Sequence, residues 1–158
     1  MPKVLIRRLA EGDADAIAGV FFESVRYGAC RDYDDAQRKA WAPASPEGNS
    51  WRDRLKRQHG FVAEQDGAII GFMALQADGY IDLAYVAPDH IGQGIAKQLY
   101  DRTTAEAREI GLQRLYSEAS YAARRFFERQ GWSVVKEQTV TRRDVSMTNF
   151  LMEKYLTE

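Results

Sequence analysis

The sequence predicts a single α/β domain of the α+β kind, with a mixed, mostly antiparallel central sheet of about seven strands flanked by about four helices. Three observations predict it. Two Asp-Gly pairs, Asp66-Gly67 and Asp78-Gly79, separate three β-rich runs in the manner of a hairpin meander. Helical periodicity then takes over from 92 to 110 and stops at Gly111, so the β-rich runs on either side of it are parallel. A second helical run ends at Gly131, and two more β-rich runs follow it.

Taken in order, Lys3 to Leu9 reads as a first strand with Val4 and Ile6 on one face. Gly12-Asp13 opens a helix running to about Gly28, in which Ile17, Val20, Phe21, Ser24 and Val25 recur at helical spacing. In residues 29–58, Asp34-Asp35 caps a short helix containing Trp41, Pro43 and Pro46 break it, and Ser50 to Gln58 forms another. Phe61 to Glu64, Ala68 to Gln76 and Tyr80 to Ala87 are the meander strands. The helix of 92–110 carries Ile95, Ala96, Leu99, Tyr100, Thr103, Ala107 and Ile110 on one side and charges on the other. Leu112 to Ala119 is the fifth strand, Ser120 caps a helix to about Gln130, and the last strands lie near 132–142 and 146–155.

At 158 residues, 45% hydrophobic and 11% aromatic, the chain holds one core, so 1–158 is one domain. With 22 basic and 23 acidic side chains the net charge is -1, which argues against a general polyanion binder and leaves nucleic acid out of the expected partners. Cys30 stands alone and cannot form an internal disulfide. The opening residues lack the apolar run of a signal peptide, and no stretch reaches the roughly 20 apolar residues that span a bilayer, so the expectation is cytoplasmic with no membrane partner. His59 and His90 are not at metal spacing, and no metal is expected.

The segment Val86 to Lys97 carries the strongest chemical signal. A β-rich run breaks at Pro88 and turns through Gly92 and Gly94 into a helix, whose first N–H groups have no internal partner and hold the positive end of the dipole. Without Cβ atoms, and with small Ala96 next, a diphosphate can rest on these amides. Alone, the pattern also suits an ordinary strand-to-helix turn.

Leu83 to Leu99 resembles the cofactor-binding motif of the GNAT superfamily, the acyl-CoA-dependent N-acyltransferases: Ile91, Gly92, Gln93, Gly94, Ile95, Ala96 stand where the family has Arg or Gln, two residues, Gly, one residue, then Gly or Ala. Ile91 departs from that pattern. Ser120 to Trp132 is similar to a second family block. The resemblance implies splayed fourth and fifth strands, a pantetheine arm along Leu83, Tyr85 and Val86, and a pyrophosphate at Ile91, Gly92, Gln93, Gly94, Ile95, Ala96 and Lys97. It adds Ser120, Ala123 and Phe127 to the acetyl-CoA site and a strand amide near Val86 as the group that polarises the thioester. Residues 29–58 become an acceptor-side lid. A homodimer is a further family expectation that no feature of the sequence requires.

Within this frame Asp82 is the first candidate base, with a pKa raised by partial burial, or else a solvent-facing strand residue. Glu118 is the competing carboxylate, or else an exposed edge charge. The family's usual acid position holds Phe127, which has no proton to donate. Tyr121 is a substitute acid or a packing residue, and Ser120 a cap. Lys97, Arg124 and Arg125 either pair with phosphates or are solvated helix charges, His90 touches a phosphate or serves the turn, and Cys30 is filler in the core or lid. Tyr27, Tyr33, Trp41 and Trp51 line an acceptor pocket or belong to the core. Arg142 and Arg143 bind an acidic acceptor or solubilise a turn, the second being favoured. The expected activity is transfer of an acetyl group from acetyl-CoA to the primary amine of a small-molecule or peptide acceptor. The alternative is an inactive acyl-CoA sensor or interaction module.

Overall fold

The structure is a computed structural model that describes residues 3–43 and 48–156, with backbone alone for 48 and 49. Its strands are β1 (Leu5–Arg8), β2 (His59–Gln65), β3 (Ala68–Leu75), β4 (Ile81–Val86), β5 (Arg114–Ala119), β6 (Ser133–Arg142) and β7 (Val145–Tyr155). Its helices are α1 (Ala14–Glu23), α2 (Asp35–Trp41), α3 (Gly48–Leu55), α4 (Ile95–Glu109) and α5 (Tyr121–Arg129), five where about four were expected. The expected break at Pro46 falls outside the described residues. No helix among them is long and apolar enough to cross a membrane.

The seven strands form two antiparallel sheets, in the orders β1-β2-β3-β4 and β5-β7-β6, instead of one mixed sheet. The parallel contact between β4 and β5 is a single bridge, Tyr80 with Tyr116. Gly79 closes this end. Its φ is +100°, and a Cβ there would lie 2.4 Å from the Arg114 carbonyl, so the chain approaches β5 closely enough for the Tyr116 amide to donate to the Gly79 carbonyl at 3.0 Å. The buried Ser117 hydroxyl donates to the Ile81 carbonyl at 2.8 Å, and beyond it the two strands have no further ladder. The splay follows from this one-ended closure.

Both faces of the first sheet are covered, which is why β2 and β3 read as continuous apolar runs. Phe61, Met73, Leu75 and Ile81 pack with Leu99, Leu115, Phe127 and Met152 toward α4 and α5. Val62, Phe72, Ala74 and Leu83 pack with Ile17, Val20 and Trp51 of α1 and α3. Each fully buried residue of this size contributes roughly 1.5–3 kcal/mol of transfer free energy. Gly71 lets α4 sit tightly on β3: a Cβ there would come within 3.2 Å of Leu99 and 3.4 Å of Ile95. That contact sets the start of α4 beside the end of β4.

The turn expected at Asp66-Gly67 is present, and a second tight turn joins β6 to β7. Asp66 and Gly67 have φ of +52° and +79°, and Arg143 and Asp144, between β6 and β7, have +50° and +65°. Asp34 caps α2, accepting from the Gln37 amide at 2.8 Å while its own amide donates to Gln37 Oε1 at 2.9 Å. The helix expected to run to Gly28 instead ends in a π turn over Ser24–Gly28, a feature that helical spacing alone does not reveal.

Candidate active site

Two cavities meet where β4 and β5 separate. The larger, about 660 Å³, lies between the end of β4, the glycine turn, α4, α5 and the π turn; the smaller, about 340 Å³, opens on the other side between α1, α2, β4, β5 and the β6–β7 hairpin. Trp41, Ala84, Tyr85, Ser120, Ala123 and Phe127 line both.

In the larger cavity, Gly92 and Gly94 have φ of +85° and +80°, and nothing lies within 4 Å of a Cβ built on either. The turn therefore presents open backbone at the N-terminus of α4, as an anion requires. Ile91, Ile95, Ala96 and Lys97 also line it, whereas Gln93 does not and instead pairs with His90 Nδ1 at 3.1 Å. His90 itself is in the lining. Among the charges proposed from sequence, Arg124 pairs with Glu128 and stands over the Phe150 ring, away from the cavity. Arg125 does line it, clasped by Asp32 at 3.2 and 2.7 Å. Arg31 and Arg129 join the rim with Lys97, and neither was foreseen. Both are set there by packing, since Arg31 follows the π turn and Arg129 ends α5.

Strand pairing decides which backbone groups face the cavity. The Ala87 amide donates to the Ile70 carbonyl at 2.8 Å, and β4 pairs in register Val86↔Gly71, Tyr85↔Phe72, Ala84↔Met73, Leu83↔Ala74. Antiparallel pairs alternate between bonded and open, so Tyr85 and Leu83 bond β3, while Ala84 and Val86 turn their N–H and C=O groups into the gap. The Ser24 hydroxyl donates to the Val86 carbonyl at 2.9 Å, which agrees with this orientation. Of the residues expected to offer their backbone to a pantetheine arm, Leu83 and Tyr85 are committed to β3, and Val86 faces the gap beside Ala84. The Leu83 side chain packs with the α1 and α3 core and lines the smaller cavity only.

The smaller cavity holds the candidate bases. Asp82 accepts from Arg54 Nε and Nη2, both at 2.9 Å, and from Gln58 Nε2 at 2.8 Å. Burial pushes its pKa up, but the Arg54 and Gln58 hydrogen bonds outweigh burial and hold it below the usual carboxylate range. The raised pKa expected for Asp82 is overturned. Glu118 is exposed at the mouth of the cavity, its Oε2 accepting from Gln138 Nε2 at 2.7 Å. Burial, reinforced by the charges of Glu118 and Asp82, pushes the Tyr80 hydroxyl up to about 12. Tyr33 is likewise pushed up by burial, to about 12, and its hydroxyl donates to the Thr148 carbonyl at 2.7 Å.

Tyr121 is not in the lining of either cavity. It packs between Tyr33 and Phe150, with ring centroids at 5.6 and 5.1 Å, because its position at the first turn of α5 faces β7. Ser120 caps α5, accepting from the Ala123 amide at 3.2 Å. Phe127 is 1% exposed and stacks on Trp132 at 4.2 Å. Of the four aromatic residues proposed for an acceptor pocket, Tyr33 and Trp41 line the smaller cavity, Trp51 is in the core and Tyr27 is exposed. Cys30 is exposed, not buried filler. Arg142 is exposed at the end of β6, as a solvated charge beside the turn would be, and it also lines the smaller cavity; Arg143 occupies the turn itself. Among the described residues no group of three or more His, Cys, Asp or Glu is arranged to hold a metal ion.

Comparison with known proteins agrees with this geometry. Residues 29–155 match the family model described as the acetyltransferase (GNAT) domain. The chain is 30% identical over 152 residues to the uncharacterized N-acetyltransferase YafP of Escherichia coli strain K12, covering 96% of each chain. It is similar to the crystal structure of a GCN5-related N-acetyltransferase from Rhodopseudomonas palustris, with TM-score 0.91, 29% identity, and 99% and 98% of the two chains covered. The fold also matches that of YncA from Salmonella typhimurium, solved with acetyl-CoA, with TM-score 0.77, 18% identity, and 99% and 95% covered.

Proposed function

The chain belongs to the GNAT family of acetyltransferases, and from that premise we propose that it transfers the acetyl group of acetyl-CoA to a primary amine by direct attack, with both substrates bound at once. The observation that supports this most is the meeting of the two cavities at Ala84, Tyr85, Ser120 and Ala123. One side offers an anion-binding turn and a basic rim, the other a pair of carboxylates and aromatic walls.

In this reading the amides at the start of α4 hold the diphosphate, with Arg31, Lys97, Arg125 and Arg129 supplying charge around it. Ala84 and Val86 hold the pantetheine arm as a neighbouring strand would. The Val86 N–H, pointing into the gap, polarises the thioester carbonyl. Glu118 takes the proton that the amine loses, since its Oε1 makes no hydrogen bond among the described residues while Asp82 is committed to Arg54. Asp82 acts as a positioning residue for Arg54. No side-chain acid protonates the leaving sulfur from the Phe127 position, and the route needs none, because a thiol of this kind ionises near pH 8.5 and departs readily as thiolate. Orientation of two bound reactants supplies most of the acceleration.

Phe127 also favours a second reading, an acyl-CoA sensor without catalysis. Calorimetric titration with acetyl-CoA, followed by a search for amine-dependent release of free thiol, separates the two. Binding with amine-dependent release is the expected result. Binding without release across a broad amine panel supports the sensor, and absence of binding by the folded protein overturns both.

A further inference from the structure

The smaller cavity carries at its exposed edge a cation, Arg142, that has no ion-pair partner among the described residues. Arg54 is committed to Asp82, but the Arg142 guanidinium has neither an ion pair nor a side-chain hydrogen bond among the described residues. Arg142 ends β6 opposite Val145, directly before the tight turn at Arg143 and Asp144, so its backbone is held at the cavity edge by the β6–β7 ladder. Its charge reaches inward: burial pushes the Tyr33 and Tyr85 hydroxyls up, and Arg142 pulls both back. Glu118 is the carboxylate of the same cavity on β5, where the sheets part. The walls between are aromatic: Phe21 packs on Tyr85 at 5.1 Å, Trp41 lies 6.3 Å from Tyr85, and Tyr33 lies 5.5 Å from Trp41.

A cation, an anion and flat apolar walls in a cavity of about 340 Å³ match a small zwitterion with a ring. We propose that the acceptor is an α-amino acid with an aromatic side chain, its carboxylate paired with Arg142, its amino nitrogen beside Glu118 and its ring against Trp41 and Tyr85. This rests on the reading of the smaller cavity as the acceptor side. Glu118 first takes one proton from the ammonium and passes it to solvent, which frees the nitrogen lone pair. The N–C bond then forms as the C–S bond breaks, the bonding pair leaves on sulfur, and the second proton passes through Glu118 to the thiolate or to solvent. A polyamine fits worse, because it would set a second cation against Arg142 with nothing to compensate.

Three acceptors test the assignment, phenylalanine, phenylalaninamide, which lacks only the carboxylate charge, and spermidine, a polyamine, each with acetyl-CoA and read by thiol release. A charged hydrogen-bonded contact of this kind corresponds to at least about tenfold in kcat/KM for phenylalanine over its amide, expressed in KM. Arg142→Gln should collapse that ratio to about one, Arg142→Lys should keep part of it, and Arg143→Asn, which suits the left-handed turn, should keep all of it. Equal rates for acid and amide, preference for spermidine, an equal loss on both substrates in Arg142→Gln, or no turnover of the three by protein that binds acetyl-CoA would each overturn the proposal. Failure to bind acetyl-CoA would overturn the acetyltransferase reading beneath it, and calorimetry distinguishes that case from the others.

Discussion

The two cavities share six lining residues yet are built differently. The larger draws most of its wall from two continuous stretches, Ala84 to Leu99 and Ser120 to Gln130, and much of what it offers is backbone. The smaller gathers side chains from α1, α2, α3, β4, β5, β6 and β7. Backbone presented by a glycine turn binds what many related proteins bind, while side chains brought from distant elements can differ from one chain to the next. On the proposed reading, the contrast teaches that the common reactant and the particular one are recognised by separate parts of the chain.

The sharpest way to break this comparison is Gly94→Glu. A carboxylate would enter the turn at a residue with φ of +80°, at the positive end of α4, where like charge repels phosphate. We expect acetyl-CoA affinity to fall at least about 100-fold, a loss of about 2.7 kcal/mol, measured by calorimetry on protein whose circular dichroism is unchanged. Retained affinity would mean that the larger cavity is not the acetyl-CoA site.

Comparable in size is Glu118→Gln, expected to lower kcat about 100-fold with acetyl-CoA affinity intact, the lower end of the range typical of a lost acid–base group. Asp82→Asn, by contrast, should lower kcat less than tenfold and instead cost about 1–3 kcal/mol of stability, since Arg54 loses its partner. A reversal of these two outcomes would return the base to Asp82.

Acidity sharpens the same distinction. Because the folded-state pKa of Asp82 is depressed, its contribution to stability is present above the unfolded value near 4 and is lost as pH falls through the lower folded value. Glu106, buried beside Arg8 and His59, is lowered to about 2 chiefly by its hydrogen bond from Arg8, so its contribution fades between about 4.5 and 2. Melting temperatures from pH 6 to 2 should therefore fall less steeply in Asp82→Asn and in Glu106→Gln than in the unaltered protein.

The smallest effect belongs to Phe127→Tyr. The side chain already touches both cavities, so a hydroxyl has an outlet, and kcat should change by less than about threefold. A large gain would show that the leaving thiolate does benefit from an acid, and a lost fold that the stack on Trp132 tolerates no addition.

Much of this was legible along the chain because its signals are local. Asp-Gly pairs demand positive φ, apolar spacing shows a helix, and a glycine turn before a helix exposes amides, so the succession of elements and the open turn before α4 follow from neighbours within a few residues. Asp82 shows where such reasoning stops. Its surroundings in sequence, Ile81, Leu83 and Tyr85, point to a dehydrated carboxylate, and the Arg54 that reverses the shift stands 28 positions away on α3. Arg142 shows the same limit: it is the exposed charge beside a tight turn that its neighbours suggest, and only the packing of β6 against β7 sets it at the edge of the smaller cavity.

By itself, then, the sequence determined the family, the seven strands, the turns and the open backbone at the start of α4, since each depends on contacts between residues close in the chain. Only the tertiary structure decided that the sheets join at a single bridge, that Ala84 and Val86 face the gap, that Asp82 is paired, and that Arg142 has no ion-pair partner among the described residues. Ladder register and the partner of a charge depend on which distant residues pack together, and on the low-dielectric surroundings that packing creates.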